Sequence, residues 1–192
     1  MSTTLVMALR AASLIAFAAP LLLAVAGRPR RRNTLPAQGR GDRAPLLANL
    51  AAFGLFFPSL LTFPGTLDGY AALLLALTGC FVALAGAALV LRARSELGPA
   101  WSFVPMADQA TDLITTGPYR LVRHPIYLGL SMLAMGQALA FASWPAIAVL
   151  LAGIVPTFVW RASAEEKLLT ATFGERYARY REQTKMIIPR LL

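Results

Sequence analysis

The sequence predicts an all-α integral membrane protein with about five transmembrane helices. The last two form a tight hairpin, and a cytosolic amphipathic helix follows. Three observations predict this fold. The 192 residues are 57% hydrophobic and only 14% charged, whereas a soluble domain carries roughly 25% charged residues. Mean hydropathy is +0.61, and the apolar residues fall in runs near the length of a bilayer crossing, about 20 residues. The basic residues behind the net charge of +9 lie, apart from Arg10, outside those runs. A domain of this length leaves roughly a third of its chain surface exposed, so one small globule cannot hide the apolar excess. An ordinary soluble enzyme and a disordered or collagen-like chain are excluded. The single cysteine, Cys80, excludes a disulfide framework and a Cys-rich metal site, and no metal is expected.

The first run, 5–27, carries Arg10 near its start. Its Ala24-Val25-Ala26 ending also resembles a cleavable signal peptide. The dense arginines that follow disfavour translocation and favour a retained span. Segment 28–45 is rich in Arg, Pro and Gly and reads as a basic cytosolic loop at the membrane surface. The second run, 46–63, contains Pro58. The third, 70–91, holds Gly79, Ala83 and Gly86, a spacing of small residues that lets helices pack closely in a membrane. The fourth and fifth, 126–142 and 145–160, are short and nearly contiguous, which predicts the hairpin. With the N-terminus outside, all of the 18 basic residues except Arg10 lie on the cytosolic face, as the positive-inside rule requires. The charge surplus therefore records topology, and no nucleic-acid partner is expected.

Polar density in an apolar chain marks candidate sites, because polar groups are costly in a bilayer. Two stretches stand out. In the first, Gly117-Pro118 signals a turn, and Pro125 suits the first turn of a helix. This places Arg123 and His124, the only histidine, at a helix start, with Tyr127 one turn further in. In the second, Arg161 and Glu165 are four residues apart and share a helix face, while Glu166 points about 100° away. The hairpin brings both stretches to one cytosolic end, so His124, Tyr127, Arg161, Glu165 and Glu166 are expected to converge. The bland reading is interfacial anchoring and routine, weak surface ion pairs. Downstream, Leu168, Leu169, Phe173, Tyr177 and Tyr180 recur at helical spacing. They read as an amphipathic helix on the membrane surface, with Gly174 as an interruption.

In order, Gly117-Pro118-Tyr119, Arg123-His124-Pro125-x-Tyr127-x-Gly129, a membrane hairpin, Glu165-Glu166-x-x-Leu169 and Phe173-Gly174-x-x-Tyr177-x-x-Tyr180 resemble the isoprenylcysteine carboxyl methyltransferase family. Its relatives include the phospholipid methyltransferases. The resemblance covers roughly residues 90–190. It implies S-adenosylmethionine as methyl donor, held by Leu113, Ile114, Tyr119, His124, Pro125, Ile126, Tyr127 and Glu166. It implies Arg161 as the residue that binds the substrate and, with His124, acts in catalysis. Thr111 stands where the family often has a histidine, so that side-chain contact is absent. The implied division is residues 1–92, N-terminal membrane helices with loop 28–45, and residues 93–192, a cofactor-binding and catalytic region containing hairpin 125–160 and the C-terminal helix. The implied acceptor is a lipophilic small molecule or prenylated substrate, met among membrane lipids and methylated on a carboxylate. The alternatives are a phospholipid amine N-methyltransferase, an NADPH-dependent sterol-type reductase and a non-catalytic membrane scaffold. Short and rich in Ala and Arg, the chain is expected in a bacterial inner membrane, N-terminus outside and C-terminus cytosolic.

Overall fold

The computed structural model describes residues 3–26, 44–67, 69–98 and 112–188. The basic loop expected at 28–45 lies outside the described residues except for its last two positions, and Thr111 lies outside them as well. Helix α1 is Thr3–Ala26, α2 is Ala44–Thr62 and α3 is Gly69–Leu97. A 3-10 turn at Gly117–Arg120 leads to α4, Pro125–Ala140. Then come α5 (Trp144–Val149), a π turn at Leu150–Ile154, α6 (Val155–Phe173) and α7 (Glu175–Gln183). The described residues hold no strand, only a bridge between Val122 and Lys185.

Four helical stretches are long and apolar enough to cross a membrane: Thr3–Pro20 within α1, α2, α3, and the continuous run Trp144–Phe173. The expected fourth span is present as α4 but has only 16 residues, short of the usual crossing. The second arm of the hairpin does not stop near residue 160; it runs on to Phe173. Pro156 accounts for the π turn just before it, since a proline inside an α-helix lacks the N–H and crowds the preceding turn. The tail is two helices, divided at Gly174 where the interruption was expected; its φ of 52° is in the left-handed region that glycine enters without strain.

Close packing of α3 on α4 organises the bundle. A Cβ built on Gly79 would lie 2.4 Å from the Ala140 N and 2.5 Å from the Gly136 O, and one on Gly86 would lie 2.7 Å from the Gly129 O. The small-residue stripe of α3 thus meets the glycines of α4 backbone to backbone. Buried polar groups tie in the other helices. The Gln137 side chain donates to the Ser13 carbonyl, joining α4 to α1, and Asn49 donates to the Thr157 hydroxyl at 3.0 Å, joining α2 to α6. Helix α1 is therefore built into the bundle. An aromatic cluster of Phe17, Phe53, Phe56, Phe57 and Phe158 fills the centre.

The bundle has two distinct ends. At one, the Gly65 N–H donates to the Phe141 carbonyl at 2.9 Å, so the α2–α3 link meets the tip of the hairpin. Arg10 joins them, its Nε donating to the Ala140 carbonyl at 3.1 Å. At the other end lie the start of α2, the last turns of α3, the 3-10 turn, and the start of α4 with α6 and α7.

A candidate active site at the start of helix α4

The 3-10 turn fixes the approach to α4. Gly117 has φ of 57°, a conformation that favours glycine, and the Glu96 side chain lies close against it. Thr116 donates to the same Glu96 carboxylate at 3.0 Å. Tyr119 is buried, and its carbonyl accepts the Tyr180 hydroxyl at 2.7 Å. This pins α7 beneath the turn. The aromatic face expected on the membrane surface is instead turned into the protein, with Tyr177 fully buried and Tyr180 nearly so. Burial pushes the Tyr180 phenol up to about 12. Burial also raises Tyr119 and Tyr177 above the ordinary value, and neighbouring Glu165 and Glu166, respectively, add to the effect.

The chain after α7 returns to the site. The Arg123 and His124 N–H groups donate to the Lys185 and Met186 carbonyls at 2.8 and 2.9 Å. This short backbone bridge sets the direction of both side chains. Arg123 Nε donates to Glu166 Oε1 at 2.7 Å, with both side chains buried. The same guanidinium donates to the Thr184 and Arg181 carbonyls. Arg181 also reaches the second Glu166 oxygen at 3.5 Å.

His124 lies between the two carboxylates, Nδ1 3.6 Å from Glu165 Oε2 and Nε2 3.4 Å from Glu166 Oε1. Neither contact has the distance and angle of a good hydrogen bond, and Nε2 is buried with no hydrogen-bond partner among the described residues. The Tyr177 hydroxyl is in the same condition. Arg161 Nε donates to Glu165 Oε1 at 3.2 Å, and the Tyr127 hydroxyl donates to the same oxygen. The Arg161 guanidinium carbon stands 5.6 Å from the Tyr127 ring centroid. His124, Tyr127 and Phe158 stack in series, centroids 5.6 and 5.0 Å apart.

The structure thus brings together His124, Tyr127, Arg161, Glu165 and Glu166. Pro125 opens α4, buried, and Ile126 is half-buried beside it. Leu113 and Ile114 are half-buried in the run before the 3-10 turn. Asp112 holds that run to α7: its carboxylate accepts Arg176 at 2.7 Å and the Leu113 N–H at 2.9 Å. Those two donors hold the Asp112 carboxyl below the usual carboxylate range. Arg181, Tyr177 and the 184–186 backbone complete the cluster without having been singled out as site residues, and Arg123, marked beside His124 at the helix start, joins them. Arg181 sits among several surface arginines, and a two-residue bridge leaves no periodic signal.

Three arginines face two carboxylates, a surplus of positive charge. Such a cluster suits a ligand with its own carboxylate and amino groups. The sequence profile of the phospholipid methyltransferase family matches residues 74–176, more than half of the chain and every element of this cluster up to the start of α7. The chain belongs to the phospholipid methyltransferase family. Membership sets aside the reductase reading of the Arg-His-x-x-Tyr element. Within the relatives, the protein-S-isoprenylcysteine O-methyltransferase of Schizosaccharomyces pombe is 31% identical over 98 residues, which cover 49% of this chain and 41% of that protein. In fold, the chain is similar to the eukaryotic intramembrane Ras methyltransferase, an isoprenylcysteine carboxyl methyltransferase. The TM-score is 0.62 at 22% identity, over 93% of this chain and 63% of the other. The chain spans less than half the length of the first relative and less than two thirds of the second. It is a multi-pass membrane protein of this methyltransferase fold.

Proposed function

We propose that the chain is an S-adenosylmethionine-dependent methyltransferase that esterifies a carboxylate on a lipophilic, isoprenylcysteine-like acceptor. The observation that carries this reading is the charged cluster at the start of α4, where His124 sits between Glu165 and Glu166 with three arginines around them. Buried polar atoms are normally satisfied. The unpartnered His124 Nε2 and Tyr177 hydroxyl therefore fit a polar ligand seated among them. His124, Tyr127 and Glu166 would hold the cofactor's polar groups, with Tyr119, Leu113, Ile114, Pro125 and Ile126 around it. S-adenosylmethionine, when bound, supplies a methyl group on a sulfonium.

The residues of the chain have little proton chemistry to perform. An ionised carboxylate is already nucleophilic, so orientation and water exclusion supply most of the rate. Arg161 steers the acceptor's carboxylate, exchanging part of its contact with Glu165. An amine acceptor, the second reading, arrives as an ammonium and needs a base with a free lone pair. Glu165 and Glu166 are both engaged by cations, and the surplus charge is positive. The carboxylate is favoured on those grounds. We further infer that the site end of the bundle is cytosolic and that the N-terminus is outside.

The test is calorimetry of the detergent-solubilised chain with S-adenosylmethionine, followed by radiolabelled methyl transfer into a lipid extract. The expected result is binding that weakens by about 1–3 kcal/mol in His124→Ala and in Glu166→Ala, the cost of a lost charged hydrogen bond. The label should then be released by base, as an ester. Affinity unchanged in both variants overturns the site, and base-stable label points to the amine acceptor.

A further inference from the structure

Arg10 is a charged residue for which methyl transfer has no use. It lies in a segment apolar enough to cross a membrane, where an ionisable side chain marks a partner or a function. Its Nε is bonded to the Ala140 carbonyl at 3.1 Å, and its guanidinium carbon stands 5.3 Å from the Phe141 ring centroid. Among the described residues, no hydrogen bond or ion pair engages its two terminal amino groups. Arg10 lines a cavity of about 200 Å³ between the first turns of α1, the α2–α3 link and the start of α3. The lining combines Arg10, Thr3 and Thr66 with Leu5, Met7 and Leu67.

Two exposed aromatics set the depth of this cavity. Tyr70 and Trp144, 77% and 69% exposed, stand at the first turns of α3 and α5, at the same end of the bundle. Exposed aromatic rings belong at the headgroup level, so the cavity opens where lipid phosphates lie. Leu5 and Met7 line it and are themselves exposed, which gives it an apolar flank toward the acyl chains.

We propose that this cavity binds the phosphodiester of an anionic phospholipid, at the end of the bundle remote from the methyl-transfer cluster. Arg10 and the Thr3 and Thr66 hydroxyls take the phosphate oxygens, and the acyl chains descend over Leu5 and Met7. The bound lipid fastens α1 to the α2–α3 link. The site is independent of the proposed catalytic function. Asp68 is the only acidic residue between positions 43 and 95, so Asp68→Asn serves as the control for an anion supplied by the chain itself.

The experiment uses the full chain in detergent. Phosphatidylglycerol, diacylglycerol with the same tails, and soluble glycerol phosphate are titrated against thermal unfolding, and bound lipid is counted by native mass spectrometry. The expected result is a rise in Tm with phosphatidylglycerol alone. Binding should weaken about ten-fold or more in Arg10→Gln, the loss of a charged hydrogen bond, and persist in Asp68→Asn. An equal shift with diacylglycerol, or equal binding by Arg10→Gln, overturns the proposal. A glycerol phosphate shift as large as the lipid's overturns the lipid source. No shift in the wild type, with Asp68→Asn as destabilising as Arg10→Gln, means the cation is neutralised within the chain and also overturns it. Should Arg10→Gln fail to fold, Thr66→Val provides the same comparison, and its binding must also weaken.

Discussion

Arg123 joins three segments that lie far apart in the chain: α4, α6 and the stretch after α7. Its guanidinium meets Glu166 and two backbone carbonyls while almost fully buried. Breaking a buried pair by removing one partner costs about 3–5 kcal/mol, because the other charge stays behind. Arg123→Ala is therefore expected to lower stability by about that amount. Arg161→Ala should cost less, since Glu165 keeps the Tyr127 hydroxyl. Denaturant unfolding of the two variants in the same detergent checks the order, and an equal loss contradicts it. At this scale much of the site was legible: His124, Tyr127, Arg161, Glu165 and Glu166 were conspicuous as polar residues in apolar sequence. Arg181 and the 184–186 backbone were not, because their contribution depends on a return of the chain some sixty residues away in sequence.

The helices were legible through the length of their apolar runs, and their exact phase was not. A π turn adds one residue to a turn and so advances everything after it by about 100°. In this chain the π turn at Leu150–Ile154 precedes Arg161, Glu165 and Glu166, so their facing depends on it. Deleting Gly153 should restore a regular helix and turn those side chains away from His124. The expected outcome is unchanged helical content by circular dichroism with S-adenosylmethionine binding lost. Retained binding would show that the phase is set elsewhere. Hydropathy carries no trace of such a turn. Close packing along α3 was readable, since only small residues allow backbones so close; that α4 is the partner was not. Gly79→Val should cost about 1–3 kcal/mol as overpacking, measured by thermal unfolding, because the atoms in its way are backbone.

Across the whole molecule, the charge distribution in sequence and the packing in space agree on two unlike ends. The α2–α3 link, the hairpin tip and Arg10 share one end; the last turns of α3, the 3-10 turn and the candidate site share the other. With Cys80 replaced by Ala, a cysteine at Thr66 should react with an impermeant maleimide added outside intact cells. One at Arg92, whose side chain is 70% exposed, should react only after permeabilisation. The reverse pattern would invert the proposed orientation. The expected fourth span, α4, was the least legible feature at this scale: its apolar run gave its place in the chain, but its 16 residues fall short of the usual crossing.

That short helix also has a consequence for the lipid environment. Sixteen residues of α4 rise about 24 Å, against a hydrocarbon core of about 30 Å. Placing the hairpin tip at one surface, in line with the proposed orientation, would put His124 several ångströms beneath the other. Hydrophobic mismatch therefore acts directly on the site: a thinner bilayer brings the cluster toward water, and a thicker one sinks it among acyl chains. Turnover measured in nanodiscs of graded acyl length should pass through a maximum and fall as the chains lengthen, since the water-soluble donor then has further to reach. A rate indifferent to acyl length would place the site at the surface. The number of residues in one helix thus ties this chain to membranes of a particular thickness.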